Sequence, residues 1–426
     1  MLFAARSRLV RPDRRLAHLP DRNLLTQGLT VARILMIAYT TYVHDARVKR
    51  HAQALAERGD HVDLLCLENS QQGEHKGVNV IGLKLRRYRG SSKASYFGTY
   101  LRFFLAASRK ALQLGLAERY QLVIVCTMPD AAVLCALPLK LLGSKIVLDM
   151  HDTMPELYRE KFGGRRGAFG ARLLAFEERA STWFADRVLA VHELHRQRLV
   201  RSGVRSSKIS SVLNVPDPGI FALDGERSLP NDFTIVCHGT VARRLGLDVA
   251  IRAMAILGDR LPQAKMLVLG SGDYLAECKS LASRLSLGAR VSFHPPVPLE
   301  QLPAALQQAT VGVIPNRASG ATHLMLPVKL LEYTTLGIPV IASRLQTIEH
   351  YFDSSCLRFF EPGDPASLAK AIGELYESPA LCLRLAENAR RVMDVINWQN
   401  QRECYYEAID SVLHRGGSPV IQSNPS

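Results

Sequence analysis

Lys329 and Glu332 stand three residues apart in Thr322-His-Leu-Met-Leu-Pro-Val-Lys-Leu-Leu-Glu-Tyr-Thr-Thr-Leu-Gly-Ile-Pro-Val-Ile-Ala342. Pro327 suits the first turn of a helix, where its missing N–H costs nothing. Gly337 suits the helix end, and residues 338–342 read as the next buried strand. On such a helix Lys329 and Glu332 share one face. Free amides at the helix start, a cation one turn in and a carboxylate beyond it fit a nucleoside diphosphate. Amides and lysine would take the phosphates, and the carboxylate the ribose hydroxyls. Taken alone, the pair equally fits an ordinary surface ion pair, because short motifs recur by chance.

Other constellations stand near the ends of apolar runs. His151 and Asp152 emerge together in Leu148-Asp-Met-His-Asp-Thr-Met-Pro-Glu156. A His–Asp pair there serves proton transfer or positions a sugar hydroxyl; Asp152 or Thr153 with Glu156 also fits a helix cap. Asp45 suits a helix N-cap, which places Arg47 in the first turn. A cation there opposes the helix dipole, so a local anion would rationalise it, while a solvated arginine accounts for it as well. In His238-Gly-Thr-Val-Ala-Arg-Arg-Leu-Gly-Leu-Asp248, Gly239 permits close backbone approach, and Arg243 and Arg244 suit either an anion or a solvated turn. The strand read over residues 266–274 ends in Gly270-Ser-Gly272, part of a dinucleotide fingerprint and weak alone.

The elements that must hold these groups alternate. Apolar runs near residues 31–38, 61–66, 121–126, 145–149 and 187–191 are separated by helical stretches. The alternation restarts at residue 233 after a Pro- and Gly-bearing loop. This pattern predicts an α/β chain with parallel, doubly wound sheets, in which ligands bind beyond the carboxyl ends of the strands.

The run Leu-Pro-x-Lys-Leu-Leu-Glu-Tyr-x-x-Leu-Gly-Ile-Pro-Val-Ile-Ala-Ser closely resembles the donor segment of glycosyltransferase family 4. That family has two facing Rossmann-like domains, the GT-B fold. The resemblance covers roughly residues 32 to 413. It implies that Glu332 binds the donor ribose, and that Leu326 and Lys329 belong to the Leu-Pro-x-Lys branch, akin to enzymes of bacterial surface-polysaccharide assembly. It places His151 toward the sugar in the cleft, Asp45, Arg47 and Asp152 on the acceptor side, and Gly270 and Gly272 near the donor. Three positions depart from the family pattern. Leu324 replaces an earlier glutamate, while Thr240 and Leu245 replace an arginine and a lysine, so diphosphate contacts pass to Arg243 or Arg244. The resemblance implies a retaining transferase using a UDP- or GDP-type sugar, with no metal or other cofactor.

Length and charge set the remaining bounds. A chain of 426 residues is long for one core, so two domains are expected. The expected boundaries are a basic tail over 1–31, an acceptor-side domain over 32–225, a donor domain over 226–397, a returning helix over 398–415 and a tail over 416–426. Net charge of +15 raises nucleic acid, an anionic membrane surface or anionic substrates as partners. No aromatic–basic nucleic-acid signature accompanies it, so no nucleic acid is expected. Eight scattered cysteines, without Cys-x-x-Cys spacing or a His–Cys cluster, fit a reducing cytoplasmic setting and point to no zinc site. No run of about twenty apolar residues predicts a membrane span. From His75 to Ala117 there is no acidic residue, and the basic, aromatic stretch 84–110 reads either as a membrane-surface helix or as a core helix with a solvated basic side. Arg165-Arg-Gly-Ala-Phe-Gly-Ala-Arg172 would extend such a face.

These readings favour a cytoplasmic transferase, peripheral on the inner membrane, acting on a lipid-linked or oligosaccharide acceptor. Rival readings are a non-catalytic, membrane-docked partner of a transferase and a basic nucleic-acid-binding protein.

Overall fold

The computed structural model describes residues 31–68, 73–85, 93–127, 129–222, 225 and 227–413. The expected tails, apart from residue 31, and residues 86–92 of the basic stretch lie outside the described residues.

Two parallel sheets organise the chain. The first contains β1 (Arg33–Ala38), β2 (His61–Leu67), β3 (Gly73–His75), β4 (Val78–Leu83), β5 (Leu122–Thr127), β6 (Lys145–Met150), β7 (Arg187–Ala190) and β8 (Ile209–Ser211). Its order is β3-β4-β2-β1-β5-β6-β7-β8, with only β3 antiparallel to its neighbour. The second contains β9 (Thr234–Thr240), β10 (Lys265–Ser271), β11 (Val291–His294), β12 (Val311–Ile314), β13 (Val340–Ser343) and β14 (Arg358–Phe360), ordered β11-β10-β9-β12-β13-β14. Helices cover both faces, so the central strands are apolar throughout: Ile34, Leu35, Met36 and Ile37 are all fully buried. Strand order reverses between β1 and β5 and again between β9 and β12, which opens a crevice at the carboxyl ends of each pair.

The first crossing between domains comes earlier than residue 226. Val212 packs with Ile34 and Tyr405 in the first domain. Leu213, Val215 and Phe221 instead pack with Val236 and Leu267 of the second sheet. Burial of those three side chains therefore assigns the Pro-rich segment to the second domain. The chain returns at the helix Trp398–Leu413, where Tyr405, Ala408 and Ile409 enter the first domain's core. Gln401 Oε1 accepts from the Leu213 amide at 2.8 Å, so the two crossings brace each other.

The helix Lys93–Ala117 divides its apolar residues. Phe103, Ala107 and Ala111 are buried in the core, whereas Leu101, Leu105 and Leu116 face out. No helix among the described residues is long and apolar enough to cross a membrane. All eight cysteines are free, and seven are buried.

Candidate active site between the two domains

A cleft of about 640 Å³ runs between the domains, lined on one side by Asp45, Arg47, His151 and Asp152 and on the other by Thr240, Leu324 and Leu326. Strand ends and helix starts supply these groups. Asp45 caps the helix Ala46–Glu57 by accepting from the Val48 amide at 3.1 Å. Asp149, the penultimate residue of β6, is completely buried, and it holds Arg47 through Nη2–Oδ1 at 2.7 Å and Nε–Oδ2 at 3.2 Å. Arg47 spends a further N–H on the Val212 carbonyl at 3.1 Å. The anion that rationalises Arg47 is thus Asp149, from the chain itself, 102 residues away in sequence. Burial opposes ionisation of Asp149, but Arg47 and then His151 hold its carboxyl well below the ordinary range.

His151 is anchored by the same carboxylate, with Nε2 3.3 Å from Asp149 Oδ2. With Nε2–H as donor, Nδ1 remains the acceptor of the ring. Asp152 follows in the cleft wall; burial pushes its carboxyl up, and His151 and then Arg244 pull it partly back. Arg244 therefore acts across the cleft from the second domain. Its Nε is buried without a hydrogen-bond partner, whereas Arg243 beside it is exposed. Cys126, Asp149 and His151 bring three ligand-type atoms within 4.8 Å. Arg47 occupies both Asp149 oxygens and burial keeps the Cys126 thiol protonated, so this donor set does not suit a cation.

The second domain presents a different arrangement. The helix Val328–Thr335 begins at Pro327 with no side-chain cap. Lys329, in its first turn, is half-buried and its ammonium is shifted down by burial. Among the described residues it forms no ion pair within 4.0 Å. One turn on, Glu332 is buried, and its Oε2 lies 2.7 Å from His238 Nε2. The proton on that bond follows from its neighbours. The His238 amide donates to the Tyr333 hydroxyl at 3.1 Å, and the hydroxyl's own hydrogen has two acceptors in reach, the Val236 carbonyl at 3.4 Å and His238 Nδ1 at 2.8 Å; the shorter contact, to Nδ1, is the stronger one. Nδ1 is then an acceptor, so the neutral ring carries its hydrogen on Nε2 and donates it to Glu332.

The glycines serve this wall through the backbone. Gly239 has φ 97°, in the left-handed region. An added Cβ on Gly270 or Gly272 would lie 2.0 Å from the carbonyl oxygen of Gly239 or Val241. These two glycines therefore let neighbouring loops pack together; their missing side chains face protein backbone.

Two groups of this site, one lining the cleft and one buried behind it, escaped the sequence reading. His192 follows β7, lines the cleft, and reaches across to the Leu324 carbonyl at 2.9 Å while accepting from the His195 amide at 3.0 Å. Its position at a strand end was the available signal. Asp149 is the other, signalled by a carboxylate inside an apolar strand. At position 324 the side chain lines the cleft and the carbonyl bridges the domains. Ser319 adds a second bridge, donating to Glu160 at 2.7 Å. Asp45, Arg47, His151, Asp152 and Leu326 thus meet at one cleft, and Arg244 is coupled to it. Lys329 and Glu332 form a neighbouring group with His238, and Gly270 and Gly272 stand behind it.

Comparison with known proteins followed the same division. A family model described as Glycosyl transferase 4-like domain matches residues 45–214, and one described as Glycosyl transferases group 1 matches residues 224–392. The chain is 31% identical over 188 residues to a GDP-mannose-dependent alpha-(1-6)-phosphatidylinositol monomannoside mannosyltransferase of Mycolicibacterium smegmatis, covering 43% of this chain and 49% of that protein. The chain thus spans about half the length of the curated relatives it matches. Among solved structures, sucrose-phosphate synthase from Thermosynechococcus elongatus aligns with a TM-score of 0.73 at 21% identity, over 90% of this chain and all of that one. The Anabaena protein HepE, in complex with UDP and glucose, aligns with a TM-score of 0.68 at 16% identity, over 88% of this chain and 99% of that one. At these identities the structural likeness establishes the GT-B fold.

Proposed function

The chain belongs to the group 1 glycosyltransferases, and from that premise we propose that it moves a sugar, with retention of anomeric configuration, from a nucleoside-diphosphate sugar to a saccharide acceptor. The observation that carries this reading is Lys329: a half-buried cation without an ion-pair partner among the described residues, at an uncapped helix start, beside a carboxylate already oriented by His238. Burial is costly for an ammonium with no close ion pair and only the longer-range pull of Glu332, and a diphosphate would supply the missing charge. Glu332 Oε1 would then accept from the ribose hydroxyls.

In the transfer, the bond between the anomeric carbon and the diphosphate oxygen breaks as the acceptor oxygen bonds to that carbon. The acceptor proton passes to the leaving phosphate, so no separate enzyme base is needed. Lys329, Arg243 and Arg244 would stabilise the charge that develops on the diphosphate. His151 would position the sugar from the opposite wall. A lipid-linked saccharide at the inner face of the membrane is the proposed acceptor, a reading supported by the lipid acceptor named for the mycobacterial relative. Cell-surface glycan assembly is the corresponding role.

The test is a thermal-shift screen of UDP, GDP, ADP and their sugars. At a hundredfold excess over Kd, binding adds about 2.7 kcal/mol of apparent stability. A shift with one nucleotide, absent in Glu332→Ala, supports the donor site and identifies the base. Folded protein that responds to none of them refutes it.

A further inference from the structure

The helix Gly164–Phe184 turns an unusual face outward. Phe169, Phe176 and Trp183, seven residues apart, are 72%, 71% and 82% exposed, and Leu173 between them is 61% exposed. Seven-residue steps keep side chains on one side of a helix. Arg165, Arg172 and Arg179 repeat at the same interval and are exposed too. Both carboxylates of the helix turn inward. Glu178 is buried and paired with Arg198, while burial pushes the half-buried Glu177 carboxyl up to about 7. The outward face is therefore aromatic and cationic with no anion on it.

The surroundings extend this chemistry. Thirteen of the nineteen large apolar side chains that stand exposed among the described residues fall between Leu101 and Trp183. They include Leu105 and Leu116 of the helix Lys93–Ala117, and Leu141 between the two helices. At its end the aromatic stripe borders a cavity of about 470 Å³, walled by Phe176, Trp183 and Val204, with Arg179, Arg205 and Lys208 at its edge. Burial, and then the neighbouring Lys140, shift the Lys208 ammonium down, and Asp186 pulls it partly back.

We propose that this face is the surface by which the protein docks on an anionic phospholipid bilayer. The aromatic stripe would enter the interfacial layer, and the cavity with Arg179, Arg205 and Lys208 would receive a lipid phosphate. Exposed Trp and Phe beside arginines, without carboxylates, match a bilayer interface of negative charge. The proposal deepens the lipid-linked-acceptor reading and rests on it for its purpose; its evidence is the surface itself. The geometry also connects surface and cleft. The helix Met154–Phe162, which starts just after His151 and Asp152, packs against the docking helix, and Arg198 joins Glu156 of one to Glu178 of the other. A protein seated on this face would hold its cleft at a fixed attitude to the membrane.

Two tryptophans make the test direct, because Trp398 is partly buried against Arg50 while Trp183 is exposed. The full chain is titrated with phosphatidylglycerol and with phosphatidylcholine vesicles, following tryptophan emission and co-sedimentation. Expected are a blue shift and sedimentation with phosphatidylglycerol only, weakened by 0.5 M salt, on the order of the screening expected for surface charge. Trp183→Phe should lose the blue shift. Phe169→Ser with Phe176→Ser, and separately Arg172→Glu with Arg179→Glu, should weaken partitioning at least about tenfold, since each interfacial cation adds roughly 1 kcal/mol on an anionic surface and the aromatic stripe supplies the buried apolar area. The nucleotide-induced thermal shift should stay intact in each, which separates this surface from the donor site. Undiminished vesicle binding by both double variants overturns the assignment. So does indifference to both vesicle types with a concentration-dependent dimer that the serine variant abolishes, since the face would then cover a second copy.

Discussion

The two walls of the cleft handle charge in opposite ways. On the first-domain wall, Asp149 is matched by Arg47, flanked by His51 and His151, and sealed from solvent. On the second-domain wall, Lys329 forms no ion pair within 4.0 Å among the described residues and feels Glu332 only at longer range, and Glu332 has one oxygen committed to the His238 imidazole. A charge-matched network holds structure, whereas a cation without a close ion pair at a helix start awaits a ligand. The contrast predicts that perturbing the first wall unfolds the protein, while perturbing the second leaves it folded but unable to hold a diphosphate.

Acid should have the largest effect, and it acts on the first domain. Burial lowers His51 and His195 to about 3 and His192 to about 4. Their folded values lie below the unfolded value near 6.5, so the unfolded chain binds more protons between the two. The stability these neutral rings contribute is full above pH 6.5 and is lost as pH falls toward 4 and below. Each ring adds a slope of about 1.4 kcal/mol per pH unit in that window. The melting temperature should therefore drop steeply from pH 6.5 to 4, and a flat profile across the window would refute the buried neutral network.

Next in size is Asp149→Asn. It strands the buried Arg47 charge, for a loss of about 3–5 kcal/mol in urea denaturation. A loss below about 1 kcal/mol would mean that Arg47 finds another anion, and the contrast between the walls would fail. Lys329→Ala should do the reverse. Folded stability should hold or rise slightly, and nucleotide affinity should fall about a hundredfold, or about 2.7 kcal/mol, by calorimetric titration. Equal affinity in that variant would remove the diphosphate from this helix.

This division also explains what the sequence disclosed. The alternation of strands and helices was legible because strands buried on both faces must be apolar, and the Lys329–Glu332 spacing fixed a shared helix face locally. The early crossing at Val212 was not legible, because a Pro-rich segment reads as a linker until Leu213, Val215 and Phe221 are seen packed on the second sheet. Arg47 was visible as a cation in need of an anion, but its partner lay 102 residues on. Gly270 and Gly272 were found as part of a dinucleotide fingerprint, yet their close approach is to Gly239 and Val241 backbone. Local periodicity is written in neighbouring residues; pairing across a sheet is written only in the fold.

The smallest predicted effect probes how Glu332 is aimed. His238 joins it from 94 residues away, with Tyr333 fixing the ring's hydrogen on Nε2. If the imidazole only fills space, Ala and Gln substitutions should weaken donor binding alike. If its N–H positions the carboxylate, His238→Ala should cost about 1–1.5 kcal/mol of nucleotide affinity, roughly tenfold, and His238→Gln should recover much of it by offering an N–H. Tyr333→Phe frees Nδ1 to carry the hydrogen and should cost a similar or smaller amount. Comparing the nucleoside diphosphate with its 2′,3′-dideoxy form sharpens the test. The His238→Ala penalty should shrink toward zero when the ribose hydroxyls are absent, because Glu332 then has nothing left to grip. A penalty equal for both ligands would show that His238 supports the fold of this wall, and that the carboxylate needs no partner to find the ribose.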